Sequence, residues 1–138
     1  MGVAVLGLVL VAANFLTWFS VEHVQTNPDG VFVRTAAGFE GRFGYLEVAY
    51  GLVAVMIGLL CFSKPPSDPA VGRAVGFLVV VPLVGLACAV ADWVAVAGDS
   101  GTTSPGIGLL LSLVCLIALL ACGVFLRRTV AAASRVPG

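Results

Sequence analysis

Apart from Glu47 and Asp92, the charges of this chain cluster between or at the ends of four apolar stretches of about 20 residues, a length that crosses hydrocarbon as a helix. The most regular is Gly44–Ser63, GYLEVAYGLVAVMIGLLCFS. Its glycines, Gly44, Gly51 and Gly58, fall seven apart and so share one stripe of a helix. Such a stripe lets a second helix approach closely. Hydrocarbon offers no water to the backbone, so helices are the form these stretches can take. The expected fold is an all-α membrane protein. It is a four-helix bundle packed around Gly44–Ser63, with helices at about 3–20, 44–63, 73–97 and 106–126 and a structured extracytoplasmic loop at 21–43.

Composition agrees with that reading. Apolar residues make up 60% of the 138 and charged residues 10%, against roughly 45–50% and about 25% in a soluble domain. The four stretches leave no length for a second domain. The formal net charge is zero, which removes the electrostatic case for nucleic acid. Cys61, Cys88, Cys115 and Cys122 all lie in apolar stretches, and no CxxC occurs. They read as small packing residues, not as a thiol oxidoreductase.

Along the chain, residues 3–20 have no basic segment before them, so a cleaved signal peptide is not expected. Asn14 is the strongly polar side chain of that stretch, and an amide at such depth bonds across a helix interface. Trp18 and Phe19 close it where an aromatic belt would sit, as Tyr45, Tyr50 and Trp93 do elsewhere. In the 21–43 loop, Asn27-Pro28-Asp29-Gly30 is a turn signal. Residues 31–35 read as β-forming, which leaves room for a short hairpin with an ill-defined first arm. Gly38 and Gly41 mark a further bend. Three prolines in 64–72 forbid helix continuation. Pro82 should kink the third helix or loosen one backbone bond. Gly72 and Gly76, Gly85 and Ala89, and Gly108 with Ser112 are four-residue pairs of small residues suited to close packing. GDSGTTSP at 98–105 reads as a second outer loop, and Arg127 and Arg128 as the stop of the fourth helix.

Basic residues stay on the cytoplasmic side of short loops. Lys64, Arg73, Arg127, Arg128 and Arg135 lie on one side, against Arg34 and Arg42 on the other. This places both termini in the cytoplasm.

Four polar residues gather toward the outer half: Asn14, His23, Glu47 and Asp92. An ionisable group in a membrane helix points to function, although both acids could equally sit at the interface and bond to loop amides, Arg34 or Arg42. His23 is the one histidine and has no cysteine beside it, so no metal site and no haem ligation are expected. No serine has a neighbouring base, and no catalytic residue and no cofactor are assigned.

The run LTWFS at 16–20, a polar loop, and AAGFEG at 36–41 before a glycine-bearing helix together resemble small actinobacterial four-helix integral membrane proteins of unknown function. That likeness covers about residues 12–60 and implies an architecture, with no functional residues to carry over. The outline also looks like the claudin arrangement, whose paired loop cysteines this chain lacks. Small multidrug transporters are of similar size, but their first-helix acid is replaced here by Asn14.

The function expected on these grounds is a non-catalytic accessory subunit of a larger bacterial envelope complex in the plasma membrane. Its partners would be the lipid bilayer and other membrane subunits or further copies of itself. The rival expectation is a small oligomeric ion or small-molecule transporter using Glu47 and Asp92.

Overall fold

A computed structural model describes residues 1–23, 32–37, 44–97 and 102–133. Four helices are seen among them: α1 (Gly2–Ala13), α2 (Gly44–Ser63), α3 (Pro69–Ala97) and α4 (Ile107–Ala133). Three short strands join them: β1 (Thr17–His23), β2 (Phe32–Ala37) and β3 (Thr102–Pro105). The helices α2, α3 and α4 are long and apolar enough to cross a membrane, and α1 is a shorter apolar helix.

α2 falls where the sequence put it. The first stretch does not: α1 stops at Ala13 instead of running to residue 20. By helical rise its 12 residues cover about 18 Å, against about 30 Å for the 20 of α2. Its end tightens through three-residue turns, with the amides of Asn14, Phe15 and Leu16 bonding to the carbonyls of Val11, Ala12 and Ala13. Asn14 also turns its side-chain amide back onto the Leu10 carbonyl at 2.9 Å. The residues that follow, TWFSVEH, are β-formers, and they find strand partners on both sides.

Those partners make a three-stranded antiparallel sheet of order β2-β1-β3. The all-α expectation is corrected to this extent. The hairpin is real in its arms, β1 and β2, with Ser20 opposite Thr35 and His23 opposite Phe32. β3, read from sequence as loop, pairs Phe19 with Pro105 and Glu22 with Thr102. The Asn27–Gly30 turn and the bend at Gly38 and Gly41 lie outside the described residues.

Two more boundaries move. α3 begins at Pro69, not Arg73, because Asp68 caps it: its Oδ1 accepts the Ala70 amide at 2.8 Å, and Pro69 suits the first helical position. That bond, and then the Lys64 ammonium 3.3 Å away, hold the Asp68 carboxyl below the usual carboxylate range. α4 runs through Arg127 and Arg128 to Ala133, since arginine and alanine are good helix formers. Pro82 is buried inside an unbroken α3.

The helices form a closed ring in chain order, with α1 between α2 and α4 and α3 between α4 and α2. A core cluster joins all four: Leu10 from α1, Ile57 from α2, Leu78 from α3, and Leu116 and Leu119 from α4. The α1–α2 contact brings backbone against backbone. A methyl group on Gly51 would lie 2.6 Å from Val11 Cγ2 and 2.8 Å from the Gly7 carbonyl oxygen, and one on Gly58 would lie 2.6 Å from the Ala4 nitrogen. The neighbours there are largely backbone and cannot yield. Gly44 is buried on the same helix. Gly85 is buried against the end of the Leu116 side chain. Gly72 meets only Val130, at 3.8 Å, and Gly76 meets nothing within 4 Å, so α3 is open at Gly76, whereas two residues on, the Leu78 carbonyl oxygen would lie 2.6 Å from a methyl group on Gly123 of α4.

The contrast is testable. Gly51→Val should lower stability by about 1–3 kcal/mol through overpacking. Gly76→Ala should be neutral or slightly stabilising. Unfolding of both variants in the same detergent checks this; equal effects would refute the packing assignment.

Candidate functional site

Glu47 is in the first turn of α2, where the amide ends of the helix favour a negative charge. It points inward and is 1% exposed. Neither carboxyl oxygen has a hydrogen-bond partner. Three residues surround it, one from each other helix. Asn14, from the end of α1, and Ser112, from α4, bring an amide and a hydroxyl beside the carboxyl. Asp92, from α3, is near enough to repel its charge and is itself buried. Asn14 Oδ1 and the Ser112 hydroxyl oxygen also lack partners, and both residues are fully buried. Four buried oxygens therefore stand close together without hydrogen bonds of ordinary geometry.

That arrangement is costly. An unmet buried polar atom costs about 1–3 kcal/mol, and an unpaired buried charge several times more. The helix N-terminus recovers only part of it.

Trp18 sits at the same end of the bundle. It is the extra residue of a bulge in β1: Thr17 opposes Ala37 and Phe19 opposes Ala36, with Trp18 unmatched between them. A bulge re-aims its side chain, and here the indole enters the core against Ala89 and Leu109. Its Nε1 donates to the Ala13 carbonyl at 3.2 Å, and its own carbonyl accepts the Gly106 amide at 2.6 Å. Gly108 makes the seat, since a methyl group there would lie 2.7 Å from the indole and 2.8 Å from the Ala13 oxygen. Trp18 is thus fully buried and does not belong to an aromatic belt. Tyr45 and Trp93 are exposed.

Of the four polar candidates, Asn14, Glu47 and Asp92 are brought together. His23 ends β1, five residues beyond Trp18 or about 17 Å along a strand, and its side chain is outside the described residues. Ser112 had been read as a packing residue; the structure adds it to the polar group. Its spacing from Gly108 put it on the inner face of α4, which was the available signal. Among the described residues no group of three His, Cys, Asp or Glu side chains could hold a metal ion. No protein-family model, curated protein or solved structure matches the chain.

Trp18→Ala should cost about 3–5 kcal/mol of stability, as large aromatic truncations in a core do, and Trp18→Phe clearly less. Thermal unfolding in detergent measures both. An unchanged Trp18→Ala would place the indole outside the core.

Proposed function

We propose that this chain is an integral membrane protein of a bacterial plasma membrane that handles an ion through Glu47 and Asp92, as a small oligomeric transporter. One observation carries the reading: a buried carboxyl whose oxygens make no hydrogen bond of ordinary geometry, held beside a second acid with Asn14 and Ser112 as its polar neighbours. Such a group is expensive, and in membrane helices its usual justification is an ion or proton path.

The distribution of polarity supports the setting. Large apolar side chains such as Leu8, Leu52, Met56, Phe62, Phe77, Leu83, Ile117 and Phe125 face outward, while Asn14, Glu47, Asp92 and Ser112 face inward. Water as solvent would favour the reverse. The basic residues at 64–73 and after 126 favour cytoplasmic termini and an extracytoplasmic 21–43 loop. A cysteine introduced at position 28 should react with a membrane-impermeant maleimide from outside intact cells; reaction only after lysis would invert the orientation.

The transport reading is tested in proteoliposomes of the full chain. Wild type should carry a pH- or cation-dependent flux that falls at least about tenfold, equivalent to about 1.4 kcal/mol on the barrier, in Glu47→Gln and in Asp92→Asn. Flux unchanged by both substitutions would remove those residues from the path. An absence of flux in wild type would remove the function.

A second reading, an accessory subunit of a larger envelope complex, is favoured by the open side of Gly76 on α3. Small residues without an internal neighbour suit a helix from another chain. Native mass spectrometry after mild extraction should then show a second chain that Gly76→Leu releases. A lone wild-type monomer would dismiss this reading.

A further inference from the structure

The Glu47 centre is short of hydrogen-bond donors. Its oxygens are the two of Glu47, Oδ1 of Asn14 and the hydroxyl of Ser112, all buried and without partners. Its donors are the hydroxyl hydrogen of Ser112 and the one amide hydrogen of Asn14 not committed to the Leu10 carbonyl. Asp92 adds acceptors and negative charge. Among the described residues, Tyr50 on α2 and Cys88 on α3 are also in electrostatic range. α1 and α4 contribute the neutral Asn14 and Ser112. No cationic side chain acts on Glu47 from any of the four helices.

Two occupants could relieve this: a metal cation or a proton. A hard divalent cation takes six to eight oxygens at its own spacing. The centre is closed, with Glu47, Asn14 and Ser112 exposed by 1% or less, which leaves little room for a shell of that size. A proton needs no ligand shell. Placed on Glu47 it turns an acceptor into a donor, so the carboxyl can give one bond and receive another from Ser112. It also removes one of two like charges in a dry site, the condition under which a pair of acids shares a single proton.

We propose that Glu47 and Asp92, framed by Asn14 and Ser112, form a proton-binding site that holds one exchangeable proton, so that the ion this protein handles is H⁺. This deepens the ion-handling reading and rests on it for biological purpose, but the site is tested separately from transport.

The test uses the full chain in vesicles of phosphatidylcholine and phosphatidylglycerol, treated with dicyclohexylcarbodiimide. That apolar reagent adds a carboxylic O–H across its C=N bond and, after acyl migration, leaves a stable N-acylurea. A carboxylate without its proton does not react. Peptide mass spectrometry should find the adduct on Glu47. It should be lost in Glu47→Gln, decline as pH rises, and be unaffected by excess sodium or magnesium chloride. Asp92→Asn should shift the pH at which the adduct declines, which a merely structural aspartate would not do. Circular dichroism and size-exclusion chromatography establish that each variant is folded.

Protection of Glu47 by either salt would overturn the proposal in favour of a metal cation and leave the transport reading standing. A folded wild type unlabelled at any pH would overturn it outright, as would a pH profile unmoved by Asp92→Asn. Labelling as expected without measurable flux would uphold the proton site and defeat transport.

Discussion

The contact on which the polar centre depends is between two backbones, those of α1 and α2. Gly7, Gly51 and Gly58 have no side chains to hold the helices apart. Their absence lets a helix of 12 residues run flush along one of 20. The register that results, with Ala4 at Gly58 and Val11 at Gly51, puts the end of α1 level with the first turn of α2. Asn14 arrives beside Glu47 for that reason. The polar centre is thus a product of steric fit lower in the bundle, and α3 and α4 complete it with Asp92 and Ser112.

The same contact explains why the chain leaves the helix so early. Had α1 continued to residue 20, its last two turns would have occupied the space where Trp18 meets Ala89 and Leu109. A strand can enter there only because β1 is the middle one of three. Both of its edges are paired, so its backbone groups are met without water. The bulge at Trp18 then turns one large side chain inward across the end of the bundle.

Much of this was legible in the residues. The apolar stretches located α2 to the residue, because glycine and serine bound it and no competing signal intervenes. Asn14, Glu47 and Asp92 stood out as polar groups in apolar surroundings, and the structure brings them together. The first helix was over-extended because hydropathy is blind to the difference between an apolar helix and an apolar strand with partners distant in sequence. β3 was missed for the same reason: TTSP has no strand character until β1 is beside it. The start of α3 was readable and overlooked, since Asp68-Pro69 carries both a cap and a preferred first residue. Arg127 and Arg128 do not end α4, because charge limits depth in a bilayer and not helicity.

The seat of Trp18 has a consequence for the order of assembly. Its floor and its carbonyl's partner are Gly108, Leu109 and Gly106, all at or just before the start of α4, so Trp18 is synthesised before any of them. Until α4 has emerged, the indole has no slot, one margin of β1 has no neighbour, and Glu47 stands open on the side that Ser112 will cover. The Glu47 centre is therefore closed only when α4 docks beside α1 and α3 and brings Ser112 over the carboxyl.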